Sequence, residues 1–224
     1  NAFTVDVEDY FQVSAFENVI HRDEWPRMPS RVEASTDRLL DLLERRGVKG
    51  TFFVLGWTAE QFPSLVRRIA SAGHELACHS FWHRLIYRQS RDEFRADLRR
   101  SKQTIEDQAG QAVVAYRAPS FSITSRSMWA IDVLVEEGFE IDSSIFPTVH
   151  DRYGVPNADV RPHAISTPAG SIWEFPLAVQ RVGRFSVPIS GGGYFRLFPF
   201  HFSRLCLENV NRGGRPFAFY IHPW

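Results

Sequence analysis

The sequence predicts an α/β fold in a single domain over residues 1–224, with a largely parallel sheet of the β/α-barrel kind. Three observations carry this expectation. Short apolar runs rich in β-branched and aromatic residues alternate with helical patterns, the signature of βαβ units. Glycines close several of the helical patterns just before the next apolar run. Several runs end in an acid, a histidine or an arginine, and in a β/α barrel the chemistry sits at the C-terminal ends of the strands. A chain of 224 residues fits one domain, and 44% hydrophobic residues with 19 Phe supply a core.

In order, Ala2 to Val7 reads as a first strand. From Val32 to Arg46, Val32, Leu39, Leu40, Leu42 and Leu43 fit one helix face, with Gly47 as the stop. Gly50 to Leu55 reads as the second strand. Thr58 and Gln61 suggest a capping box for a helix carrying Leu65, Val66 and Ile69 and ending at Gly73, before a third strand, His74 to Cys78. Ser90 and Glu93 suggest a second capping box, opening a long helix to Gly110 ahead of a fourth strand, Val113 to Tyr116. A helix from Ser125 to Glu137, closed by Gly138, leads into Phe139 to Ile141. Beyond residue 147 prolines punctuate shorter strand candidates, Ser171 to Phe175 and Phe185 to Ile189. A helix over Phe200 to Asn211 and a last strand over Phe217 to Ile221 complete the pattern.

Lys plus Arg and Asp plus Glu both number 26, so no global field favours nucleic acid or an anionic membrane, and the expected partner is not a polyanion. No apolar run reaches the roughly 20 residues that span a bilayer, and no basic segment with an apolar stretch opens the chain. These features leave the compartment open between a bacterial cytoplasm and a cell envelope. Cys78 and Cys206 fall in segments read as strand and helix and are expected to be free.

The polar strand ends are the informative positions. If the strands form a barrel, Asp6, Glu8, Asp9, His79, Arg117, Asp142, Glu174 and His222 converge on one face. His79 and His83 are four apart, so on a helical turn they would point the same way and share a metal ion, although such spacing also arises by chance in a loop packed with aromatics. Three acids crowd the end of the first strand, where burial requires pairing, protonation or a cation. Two histidines and a carboxylate make a metal site with an open position, and a second carboxylate can serve as general base: the requirements of metal-assisted amide or ester hydrolysis. Taken singly, Arg117 reads as a surface charge and Asp142 as a turn cap. Glu174, set between Trp173 and Phe175, is expected to have a perturbed pKa or an arginine partner. Gly191-Gly192-Gly193 lacks the Lys-Ser/Thr of a phosphate loop and is expected to be a loop near substrate. Trp82, Tyr194 and Phe195 are candidates for stacking on sugars.

Five segments together resemble one family. Phe3-Thr4-Val5-Asp6 with the acids after it, His79-Ser80-Phe81-Trp82-His83, Arg117-Ala118-Pro119, Asp142-Ser143-Ser144 and Ile221-His222 are similar, in form and order, to the motifs of the NodB-homology polysaccharide deacetylases, carbohydrate esterase family 4. The resemblance implies a distorted (β/α) barrel that removes acetyl groups from N-acetylglucosamine-like residues of a polysaccharide or oligosaccharide with one divalent metal, Zn²⁺ or another such as Co²⁺. It assigns Asp6 as base, His79 and His83 as ligands, Arg117 as the holder of the base, Asp142 to the wall of the site, His222 as acid and Ile221 to the acetyl pocket. The first motif departs from the family's adjacent Asp pair: here it is Asp6-Val7-Glu8-Asp9, with Glu8 the favoured third ligand and Asp9 the alternative. Trp173-Glu174-Phe175-Pro176, Gly191-Gly192-Gly193-Tyr194 and His222-Pro223-Trp224 resemble the subgroup encoded in exopolysaccharide loci. The unusual first motif also keeps two other readings open, an allantoinase-like hydrolase of small cyclic amides and a non-catalytic carbohydrate-binding protein.

Overall fold

The computed structural model describes residues 1–183 and 185–224. Its parallel strands are β1 (Ala2–Val7), β2 (Thr51–Val54), β3 (Glu75–Cys78), β4 (Ala115–Tyr116), β5 (Ile141–Asp142), β7 (Gly170–Glu174) and β10 (Ala218–Ile221). With the antiparallel β6 (His163–Thr167) they form one eight-stranded sheet in the order β10-β1-β2-β3-β4-β5-β7-β6. Just past β7, Leu177 forms a parallel bridge to Ala218 of β10, curling the far end of the sheet back toward its beginning. The result is a curled half-barrel, as the alternating pattern predicts. A separate hairpin pairs β8 (Val179–Val182) with β9 (Phe185–Pro188).

Helices α1 (Val32–Arg46), α3 (Pro63–Ser71), α4 (Arg91–Ala109) and α5 (Trp129–Glu136) contribute buried side chains to the main core, together with Val5, Val7, Phe52, Val54, Leu76, Cys78 and Tyr116 from the strands. The intervening residues Phe53, Ala77 and Ala115 form a separate, smaller cluster on the opposite face. Two of these three are alanines, and that leaves room for polar side chains inside the curl. Gly47 ends α1 at φ 63°, a left-handed position that glycine takes without penalty. The Ser90–Glu93 capping box opens α4 as the spacing suggests.

Elsewhere the structure differs from expectation. Thr58 caps nothing: it lies buried within a short helix, α2 (Gly56–Gln61), and the chain restarts as α3 with Pro63 in its first turn, where a missing N–H does no harm. Strand β6 escapes the sequence reading because its residues are only half-buried or exposed, as suits an edge strand. Nor is the triple glycine a loop. Gly191 precedes α6 (Gly192–Leu197), and a Cβ there would meet the Tyr220 ring at 2.5 Å, so the glycine permits close packing on β10. The last helix, α7 (Phe200–Arg212), returns the chain to β10. Cys78 and Cys206 are free and buried, and burial pushes the Cys78 thiol up to about 12. Among the described residues no helix is long and apolar enough to cross a membrane.

Candidate active site

Every parallel strand points the same way, so the residues at their C-terminal ends meet at one mouth of the curl. A cavity of about 290 Å³ opens there, lined by Asp6, Glu8, His79, His83 and His222 among others. Glu8, His79 and His83 are each buried and bring one ligand atom apiece to within 4.8 Å of one another. Glu8 Oε2 lies 2.7 Å from His83 Nε2 and 3.9 Å from His79 Nε2.

The histidines converge without a helix. Ser80 and His83 adopt φ of 62° and 51°, left-handed values that are uncommon outside glycine, so residues 79–83 make a tight bend. Contacts from α4 hold it. The Asp97 carboxylate accepts from Phe81 N at 2.6 Å and Trp82 N at 3.1 Å, and Ser101 Oγ donates to the Ser80 carbonyl at 2.9 Å. Gly56 lets the bend approach, since a Cβ there would lie 2.6 Å from Phe81 and 2.7 Å from Ser101 Oγ. Asp97 and Ser101 look like ordinary polar positions of an amphipathic helix, and sequence reasoning misses both. Asp97→Ala strands two N–H groups that lie under the bend, at about 1–3 kcal/mol each. We expect a lower unfolding midpoint in a thermal melt and weaker binding of added Zn²⁺ in a metal titration.

Arg117 organises the other half. Fully buried, it donates through Nη1 to Asp6 Oδ1 at 2.7 Å and Thr4 Oγ1 at 2.8 Å, and through Nε and Nη2 to the carbonyl and hydroxyl of Ser143 at 3.2 and 3.0 Å. Its guanidinium also lies over the Phe53 ring, 4.0 Å from the centroid. It is no surface charge. Asp6 is thereby fixed, with its second oxygen 3.9 Å from His222 Nε2. His222 also lies 3.3 Å from Glu8 Oε1 and stacks on Trp224.

Asp9 is turned to another task. Its carboxylate accepts from Ser30 Oγ and from the backbone N–H groups of Arg31 and Val32, capping the start of α1 from a distance. It is therefore not part of the Glu8–His79–His83 cluster. Asp142 lies deeper than expected, on β5 opposite Glu174 of β7, and both are completely buried. Ser144 Oγ donates to Asp142, and Ile145 N donates to Glu174 at 3.1 Å. Burial raises both carboxyls, and the neighbouring Asp142 lifts Glu174 further, to well above the usual range. A proton held on Glu174 then satisfies the pair by a carboxyl–carboxylate hydrogen bond. The perturbed pKa expected of Glu174 is present, and its partner is an acid, not an arginine.

The three aromatics expected to stack on sugar, Trp82, Tyr194 and Phe195, and Ile221 of the expected acetyl pocket are absent from the cavity lining; Phe195 packs edge-on against Phe200 and Phe219. Trp82 packs on Phe81 and Trp25, Tyr194 donates or accepts a 2.7 Å hydrogen bond with the Tyr153 hydroxyl, and Ile221 packs against the main core. Phe121, Tyr153, Tyr220 and Trp224 line the cavity instead.

The donor set fits a divalent cation. Glu8 Oε2 is buried, and its close contact is His83 Nε2 at 2.7 Å. His79 Nδ1 lies 2.8 Å from the Arg117 carbonyl, which places the proton on Nδ1 and leaves the Nε2 lone pair for the cluster. Burial drives the His79 imidazole down to about 4, against the pull of Asp6. For Glu8 burial works upward, but the charge and hydrogen bond of His83 prevail and hold it at about 2. At neutral pH both are in their ligating forms. Because the folded pKa of His79 is depressed, the unfolded chain takes up its proton first. In metal-free protein His79's contribution to stability is thus full above pH 6.5 and lost as the pH falls toward 4. Glu8's is lost between 4.5 and 2. Urea midpoints measured across this range should fall on acidification, and His79→Gln should flatten the upper part.

The model of the family described as Polysaccharide deacetylase matches residues 23–137, just over half of the chain. The chain belongs to the polysaccharide deacetylase family. This matched part of the deacetylase fold carries His79, His83 and Arg117, whereas residues 143–224, with Glu174 and His222, match a Domain of unknown function (DUF3473). A peptidoglycan-N-acetylglucosamine deacetylase of Bacillus cereus is 28% identical over 149 residues, covering 61% of this chain and 53% of the relative. A chitooligosaccharide deacetylase of Rhizobium leguminosarum bv. trifolii is 31% identical over 109 residues, covering 43% and 51%. The chain thus spans about half the length of these curated relatives. A crystal structure from Mycobacterium smegmatis, assigned to the polysaccharide deacetylases, superposes with a TM-score of 0.73 at 27% identity, covering 99% of this chain and 76% of that one.

Proposed function

We propose that the protein hydrolyses the acetamide of N-acetylglucosamine-like residues in a polysaccharide or oligosaccharide, using one divalent ion, Zn²⁺ or Co²⁺, held by Glu8, His79 and His83. The observation that carries this reading is the buried Glu8–His79–His83 cluster on the wall of a cavity that also presents Asp6 and His222. A divalent ion supplies Lewis-acid polarisation of the carbonyl and lowers the pKa of a coordinated water. The remaining work falls to the chain. Asp6, oriented by Arg117, takes the proton of the attacking water as the new carbon–oxygen bond forms. His222 gives a proton to the nitrogen as the carbon–nitrogen bond breaks, so acetate and a free amine leave. Phe121, Tyr153 and Tyr220 provide an apolar wall suited to the acetyl methyl and the sugar face. The relatives named as peptidoglycan and chitooligosaccharide deacetylases favour a glycan substrate over a small cyclic amide.

The test is acetate release from N-acetylated oligosaccharides by protein stripped of metal and resupplied with Zn²⁺ or Co²⁺. Restored release supports the proposal. Stoichiometric metal binding with ring opening of a small cyclic amide and no acetate would replace it with the cyclic-amide hydrolase, and sugar binding indifferent to metal would replace it with a non-catalytic binder.

A further inference from the structure

A second cavity, of about 330 Å³, adjoins the first, and His150, Arg152 and Tyr153 line both. Its outer side is formed by Arg126, Tyr87 and neighbouring residues. Among the described residues neither the Arg126 nor the Arg152 guanidinium pairs with a carboxylate, although the surface around them is rich in arginine pairs such as Arg91–Asp132 and Arg88–Glu17. Asp151 is the one acid in the lining, and its carboxylate is 2.8 Å from His150 Nδ1.

The dividing wall is built rather than incidental. The Tyr153 ring is stacked between His150, at 3.8 Å, and Phe146, at 5.3 Å. Gly154 follows at φ +104°, where a Cβ would lie 2.3 Å from the Thr148 carbonyl oxygen, so only glycine allows this turn. On the other side, Ser127 Oγ bonds the Ser122 carbonyl and accepts from Thr124 N, fixing the loop that carries Arg126. Two exposed arginines without acids of their own therefore line one cavity, on loops whose backbones are fixed by this packing, and the cavity shares its wall with the hydrolytic centre.

We propose that this outer cavity is a subsite for a carboxylate-bearing sugar next to the N-acetylated residue in the same polymer. The proposal rests on the deacetylase reading. Guanidinium groups recognise carboxylates by paired, charge-assisted hydrogen bonds, and a shared wall places the two rings as neighbours along one chain. The zero net charge of the protein argues against attraction of polyanions by the surface as a whole; the outer cavity is a local exception. The carboxylate belongs either to a hexuronic acid or to an acidic ether substituent.

Three matched N-acetylated oligosaccharides distinguish the cases: one with a neighbouring hexuronic acid, one with a neighbouring carboxylated ether, and one with a neutral neighbour. With the metal-loaded protein we expect kcat/KM for one of the acidic substrates to exceed that for the neutral one by about tenfold, the preferred acid naming the source. Arg126→Gln should bring that ratio close to one, Arg126→Lys should restore part of it, and added salt should shrink it. Equal kcat/KM for all three, with acetate released, overturns the subsite and leaves the deacetylase reading standing. If none releases acetate, that reading fails, and calorimetric titration with the two acidic oligosaccharides decides the subsite: weaker binding by Arg126→Gln supports it, and unchanged binding overturns it.

Discussion

His79→Ala is expected to abolish metal binding and acetate release together. The imidazole is buried, its Nδ1 is committed to the Arg117 carbonyl, and its Nε2 has Glu8 as its nearest charged partner. Alanine therefore removes one of three donors and also frees the carbonyl that links the ligand bend to the residue holding Asp6. The loss should exceed the roughly 10–100-fold typical of removing a partner that only orients a ligand. Metal content after dialysis, read beside acetate release, provides the check; a variant that binds stoichiometric metal and still turns over would refute the assignment of the cluster. Fold integrity is read separately from the thermal melt, because removing a partly satisfied buried histidine need not unfold the half-barrel.

Asp6→Asn is expected to do the opposite: metal binding stays and the rate falls by about 10²–10⁴-fold, the usual contribution of a positioned base. The amide keeps the carbonyl oxygen that accepts from Arg117 Nη1, so the side chain stays where it is. What disappears is an oxygen able to take a proton, on the side that faces the cavity and His222. The measurement is kcat at saturating metal. A variant that loses metal in proportion to rate would show Asp6 to be a ligand, and one that retains wild-type kcat would move the base elsewhere, Glu8 being the nearest remaining carboxylate in the cavity.

Much of this arrangement is legible in the chain. The span of α1, its glycine stop, the capping box of α4 and the first strand are set by neighbours within a few residues, and short-range chemistry is what a sequence displays. That polar strand ends meet at one mouth follows from a parallel sheet alone. The Thr58 capping reading shows the limit of such local signals: the right residue pair was present, but Thr58 is buried within α2 and the following helix starts at a proline.

Other features depend on contacts between distant parts of the chain. Glu8 and Asp9 are adjacent acids, and only the position of the α1 N-terminus decides that Asp9 is drawn to the N–H groups of Arg31 and Val32 while Glu8 remains among the histidines. The His79–His83 bend requires two left-handed residues, and it stands because Asp97, 14 positions past His83, satisfies its amides. Trp82 and Tyr194 have the chemistry of sugar platforms but are used up by aromatic and hydroxyl partners, while Phe121, Tyr153 and Tyr220 take the cavity wall. The chain alone displays the alternation of strands and helices up to β5, the donor types and their place at the strand ends. Which acid faces the two histidines, what holds the bend and which aromatics line the cavity were decided by the tertiary structure, because a buried polar group settles wherever its hydrogen bonds can be completed.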